Sequence, residues 1–420
     1  MATNSYRVEN RLHDADDLAE AGGGNGNAEA HRKRIEPWLS ALFQSEHLNL
    51  LVGSGFSLGL ASAAGADGLS MAMTSIHPEF DDFIDRAAAE TANRMGRGKP
   101  NIEDQFRSAL ALEAGLSILN DTRHGALTSN IHRAFSKFAN SIVSMEQGDC
   151  ECRREERSKQ SKFERLLSEF LLSFASRTAS RDRLHVFTTN YDRLIERGFD
   201  LIAARPIDRF VGALTPRFRA SRFDVDVHYT PPGGRGEARP LEGVVRFTKL
   251  HGSLDWLSKG NYIERQGIPF GGNPDFSEED AESLLIFPNA AKDIETAFYP
   301  YAELFRDFSS AICRPNAALV TYGYGFGDDH VNRIVFDMLT LPSTHLVIIS
   351  YDDAEGRIER FIARCGRTAQ ISTLIGPHLA GLEPLVDNFL PKPAIDTITQ
   401  RQSELLERRG RRTDISAGPA

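Results

Sequence analysis

The sequence predicts an α/β protein: a parallel sheet with helices on both faces and a large helical layer inserted after the first strand of the sheet. Three observations carry this. Strand-sized apolar runs recur at 48–52, 184–189, 244–250, 284–287, 317–323, 345–351 and 371–375, and most are followed by a helical pattern. The runs are apolar without alternation, as in strands buried on both faces. Between 81 and 181 the spacing is almost entirely three and four residues, which predicts helices and no strands.

Taken in order, residues 1–33 are polar and include the tract AGGGNGNA at 21–28, so the expectation is a flexible N-terminal arm. From Ile35, the residues Trp38, Leu39, Leu42 and Phe43 recur at helical spacing, and Leu48 to Val52 reads as a short buried strand. The sheet domain is expected over 34–60 and 184–392, with 61–183 as a helical insertion suited to oligomer contacts. Residues 393–420 form a C-terminal tail with little apolar face. The polar stretch 146–162 reads as a solvated linker or loop.

With 41% hydrophobic and 25% charged residues, the composition is that of an ordinary globular protein, against collagen-like, disordered or membrane-embedded classes. No run approaches a membrane span and the N-terminus carries no signal-peptide core, so the expectation is a cytoplasmic protein with no membrane partner. The net charge of −9 gives no general electrostatic case for direct nucleic-acid binding. Four cysteines, Cys150, Cys152, Cys313 and Cys365, lack the paired spacing of a structural zinc site, and no metal is expected.

Four motifs stand where strands end, the edge at which open α/β sheets place ligands. Gly53-Ser54-Gly55-Phe56-Ser57 is either a plain strand-to-helix turn or a phosphate cradle; the third glycine of the usual fingerprint is missing. Thr189-Asn190-Tyr191-Asp192 puts two polar side chains at a strand end, suited equally to capping a helix or to holding ribose or carboxamide groups. Lys249 to Trp256 contains His251-Gly252, where an imidazole suits general-base work but also serves structurally in turns. Thr321 to His330 is a glycine-rich turn with acids entering a helix, and those acids favour ribose hydroxyls over phosphate. One strand later stands Asp352.

In this order the motifs resemble the sirtuin-like NAD-consuming domains. Gly53 to Ser57 resembles the sirtuin G-A-G-x-S loop, Thr189 to Asp192 its Q-N-I-D segment, and His251-Gly252 its catalytic H-G. The F-T-T-N-Y-D, K-L-H-G-S-L-x-W, FPNAAK (287–292) and G-F-G-D-x-H-x-N-R-I stretches are similar to the bacterial antiphage-defence branch. The chain plan there most resembles the subunit that assembles with a HerA-type hexameric ATPase, the Nezha system.

The resemblance implies a Rossmann-like fold and NAD⁺ as substrate, cleaved to nicotinamide and ADP-ribose to deplete the infected cell. It implies Asn190, His251 and Asp192 as catalytic residues. Gly53, Ser54, Gly55, Phe56, Ser57, Thr189, Gly323, Gly325 and Asp352 would bind the dinucleotide. It also implies a homo-oligomer docked on the ATPase. The zinc ribbon and the I-P-D-F-R segment of deacylating sirtuins are absent from the sequence. Deacylation or ADP-ribosyl transfer, and a non-catalytic nucleotide-binding scaffold gating the ATPase, are the alternatives.

Overall fold

A computed structural model of the chain describes residues 4–392 apart from 9, 20–24, 67, 96, 156, 178–180, 222–224, 231–237, 273, 275, 278–282 and 285–298, and the backbone alone at 25, 26, 149–155 and 157–161. Nine strands make the main sheet: β1 (Ser5–Val8), β2 (Arg11–Asp14), β3 (His47–Val52), β4 (His185–Thr188), β5 (Arg205–Ile207), β6 (Val244–Lys249), β7 (Ala317–Tyr322), β8 (His345–Ser350) and β9 (Ile371–Ile375). Their spatial order is β2-β1-β9-β8-β7-β3-β4-β6-β5. The seven strands from β9 to β5 are parallel, and only β1 and β2 run against their neighbours. The α/β class with a parallel sheet, expected from the apolar runs, is what the chain adopts.

The register fixes where a ligand can sit. Tyr322 pairs with Val52, Val52 with Thr188, and Thr188 with Lys249, so the residues that follow these four leave the sheet level with one another. Gly53, Thr189, Leu250 and Gly323 therefore share one edge. The chain runs from β3 to β4, β5 and β6 on one side, with β6 lying between β4 and β5, then returns to β7, β8 and β9 on the other. The strand order thus reverses at β3/β7, and the crevice above that point is the ligand position of doubly wound sheets.

Both faces of the sheet are covered. On one, Leu50, Val52, Val186, Val320 and Val347 pack under α1 (Asn25–Phe43), α2 (Ser54–Ala64), α6 (Arg157–Ala175) and α7 (Leu194–Leu201). On the other, Leu51, Phe187, Leu319, Leu346 and Ile348 pack under α8 (Tyr301–Ile312), α9 (Asp329–Leu339) and α10 (Arg357–Cys365). A third core holds α3 (Asp81–Arg94), α4 (Ile102–Ile118) and most of α5 (His124–Glu155) together. It also takes in Tyr191, Leu254 and Leu257 from the strand-end loops, so the insert is packed directly on the ligand edge.

Three expectations are corrected. Residues 1–33 are not a free arm: Tyr6 and Val8 alternate inward from β1, which pairs antiparallel with β9 and covers the sheet edge. The glycine tract masked the two-residue period of the short strand before it. The helical region 61–183 is not all insertion, because Phe163, Leu166, Phe170 and Phe174 of α6 bury against the main sheet core. The stretch 146–162, read as a linker, is helical over 146–155 and 157–162, as the ends of α5 and α6. Of the strand expected at 284–287, Leu284 forms a bridge to Leu257. The remainder, like the FPNAAK motif and the tail 393–420, lies outside the described residues.

Candidate active site

The two glycines of the first motif are dictated by backbone contact. A Cβ on Gly53 would lie 2.5 Å from Gly323 O, and one on Gly55 would lie 2.7 Å from Gly323 Cα. Gly53 N donates to Tyr322 O at 3.0 Å and Gly55 N to Gly323 O at 3.0 Å, so the two turns are interlocked. Gly323 makes this approach with φ +61°, a conformation that suits glycine. These amides are therefore engaged within the protein, and Gly53, Ser54 and Ser57 face the cavity above.

That cavity measures about 370 Å³, within the range of small-molecule sites. It brings together Gly53, Ser54, Ser57, Thr189, Asn190, Asp192, His251 and Gly325 from the residues singled out in the sequence. Phe56, Gly55, Gly323 and Asp352 do not line it. Phe56, expected among the dinucleotide contacts, is fully buried and packs on Phe170 and Tyr322, because it lies on the core side of α2. Asp352 is exposed and accepts the amide of Ala354 at 2.8 Å, the local turn that acidic side chains favour. Glu355 and Arg357 take the cavity wall beside it.

The polar groups are held in a chain of hydrogen bonds. Asn190 Nδ2 donates to Gly53 O at 3.0 Å and to Ser57 Oγ at 2.9 Å, and Ser57 Oγ donates to Asp192 Oδ2 at 2.6 Å. Asp192 Oδ1 accepts the amide of Leu194 at 3.2 Å, so its carboxylate both opens α7 and fixes Ser57. The Asn190 amide thus has its nitrogen tied to the first motif, in a fixed orientation.

His251 stands across the cavity with Nε2 2.8 Å from Asp328 Oδ2, each side chain about one-tenth exposed. A carboxylate only accepts, so Nε2–H donates and Nδ1 is the acceptor nitrogen of the neutral ring. Asp328 was legible only as an acid at a helix start. Its second role needs the fold, since 77 residues separate it from His251.

Beneath the site, Lys249 is almost fully buried and donates to the carbonyls of Tyr191 and Asp192 and to Glu196 Oε1 at 3.0 Å. Burial pushes the Glu196 carboxyl up to about 7, opposed by the Lys249 ammonium. The lysine so clamps the backbone of the Asn190 loop.

The insert supplies residues that no sequence motif flagged: Met71, Met95, Arg97, Lys99, Asn101 and Glu103 all line the cavity. Arg97 packs across Gly327, where a Cβ would lie 2.9 Å from its Cδ, and pairs with the buried Asp104. Arg357 donates to Arg97 O at 3.2 Å and Lys99 meets Glu355 at 3.4 Å, which fastens this strap to the sheet domain. Glu103 accepts the Tyr191 hydroxyl at 2.7 Å. Among the described residues, no group of three or more His, Cys, Asp or Glu is placed to hold a metal. None of the described helices is long and apolar enough to cross a membrane.

No curated protein matches the chain. Residues 184–369, which carry Asn190, His251 and Asp328, match the SIR2-like domain, a family of NAD-dependent enzymes, and this supports a sirtuin-like family for the chain.

Proposed function

We propose that the protein is an NAD⁺ glycohydrolase that releases nicotinamide and ADP-ribose. The observation that carries the reading is the convergence of Asn190 and His251, from the ends of neighbouring strands β4 and β6, on one cavity at the sheet's switch point. The pyridinium is a good leaving group, so the protein's task is positioning and charge stabilisation. Asn190, fixed through its amide nitrogen, presents its carbonyl oxygen to a ribose hydroxyl or to water. His251 accepts a proton at Nδ1 while Asp328 holds the ring. The apolar wall of Leu58, Leu69, Met71 and Met95 suits a nicotinamide ring, and Arg97, Lys99 and Arg357 suit the phosphates.

In the same proposal the chain acts as the NAD-depleting effector of antiphage defence, as a cytoplasmic homo-oligomer with a HerA-type ATPase. The motif resemblance from Phe187 to Ile334 supports this setting. Nicotinamide release from NAD⁺, measured with the protein alone and with such an ATPase, tests both parts. Turnover confirms the hydrolase, and dependence on the ATPase confirms the partnership.

A further inference from the structure

Five carboxylates line the cavity; Asp192, Asp328 and Glu355 stand on loops that follow strands, and Asp329 opens α9. The fifth, Glu103, comes from the second residue of α4 in the insert and is 9% exposed. Asp192 is engaged by Ser57 and the Leu194 amide, and Asp328 by His251 and the start of α9. Glu103 accepts the Tyr191 hydroxyl, whose ionisation is suppressed by burial and by Glu103 itself, and its charge also reaches the Arg107 guanidinium. Tyr191 follows Asn190 directly in the chain, and its ring lies 6.3 Å from the His251 imidazole. Glu103 is thereby joined to the two residues of the reacting end. A carboxylate so far withdrawn from water acts more strongly on a nearby charge than one in solvent.

We propose that Glu103 is a catalytic carboxylate contributed by the helical insert, facing the positive charge that grows on the ribose as NAD⁺ is cleaved; this rests on the glycohydrolase reading above. In the step, the bond between C1′ and the nicotinamide nitrogen breaks and its electron pair goes to that nitrogen, giving neutral nicotinamide. Water oxygen bonds to C1′, and the water's proton leaves through His251. Glu103 forms no bond and transfers no proton. It lowers the barrier by lying opposite the cation in a fixed, dry position. The insert is then part of the active site, and a sheet domain without it is an incomplete enzyme.

A merely structural Glu103 would serve only to hold Tyr191, and two substitutions separate the roles. Glu103→Gln keeps an oxygen to accept the tyrosine hydroxyl but removes the charge; Tyr191→Phe removes the hydrogen bond but keeps the charge. In the full-length protein, Glu103→Gln is expected to lower kcat by about 100-fold with KM rising by no more than about tenfold, and Tyr191→Phe to lower kcat by less than about fivefold. Equal losses in the two variants would overturn the proposal. A binding measurement decides the same point without turnover, comparing non-hydrolysable carbocyclic NAD⁺ with NADH by calorimetry. The wild type is expected to favour the cationic ring, and Glu103→Gln to reduce that preference about tenfold. An unchanged preference overturns the role of Glu103, whereas absent nicotinamide release with the preference intact overturns the glycohydrolase reading alone. Failure of the wild type to bind either dinucleotide overturns both.

Discussion

Asp328 joins two tasks in one carboxylate: Oδ1 accepts the amides of His330 at 2.9 Å and Val331 at 3.3 Å to cap α9, and Oδ2 holds His251 Nε2 at 2.8 Å. The helix start and the candidate base are therefore positioned by the same atom group. A substitution can separate them. Asp328→Ser retains an N-cap oxygen but cannot reach the imidazole in the same way, so stability is expected to stay within about 0.5 kcal/mol of wild type. Nicotinamide release is expected to fall by about 100-fold. Asp328→Ala should lose the same activity and an additional ~1 kcal/mol of stability. Denaturant melts and initial rates on the two variants check this, and retained activity in Asp328→Ser would detach His251 from Asp328.

Ser57 sits between Asn190 and Asp192, accepting from one and donating to the other. Removing its hydroxyl leaves a buried amide N–H and a buried carboxylate oxygen short of a partner. Ser57→Ala is expected to destabilise the fold by about 1–3 kcal/mol and to release the Asn190 side chain from its orientation. Equilibrium unfolding measures the first effect and the rate of NAD⁺ cleavage the second.

The interlocked glycine turns make a steric prediction. A methyl at position 53 meets the Gly323 carbonyl oxygen at 2.5 Å, and both partners are backbone. Gly53→Ala is expected to cost about 1–3 kcal/mol, because no flexible side chain can give way. A thermal melt against wild type checks it.

The Glu196 carboxyl, raised from 4.5 to about 7, gives a pH dependence with a definite sign. The folded state binds the proton more tightly than the unfolded chain. The group's stabilising contribution is therefore complete below about 4.5 and is lost as pH rises through about 7. Glu196→Gln cannot titrate, so its stability relative to wild type should rise across that window. The rise should be on the order of 1 kcal/mol, given the carboxyl's partial exposure. Melting temperatures of both proteins from pH 5 to pH 8 reveal the converging or constant difference.

Much of this architecture is legible in the sequence. The continuous apolar runs of β3, β4, β6, β7, β8 and β9 mark strands buried on both faces, and their flanking motifs mark the ligand edge, because a parallel sheet puts all carboxyl ends together. What stayed hidden depends on contacts between distant segments. Glu103 and Arg97 lie in helices and turns with no motif, and only the packing of the insert over Tyr191 and Gly327 brings them to the cavity. Phe56 carried a misleading signal, since a motif residue next to two glycines turned out to face the core. The strand at Ser5–Val8 is too short for its alternation to stand out beside the polar tract that follows.

The most direct test of the central claim is nicotinamide release from NAD⁺ by the full-length protein, alone and with a HerA-type ATPase, beside Asn190→Ala and His251→Ala. Turnover by the wild type that falls at least about 100-fold in each variant is the predicted result. Dinucleotide binding with no nicotinamide release in any assembly would contradict it.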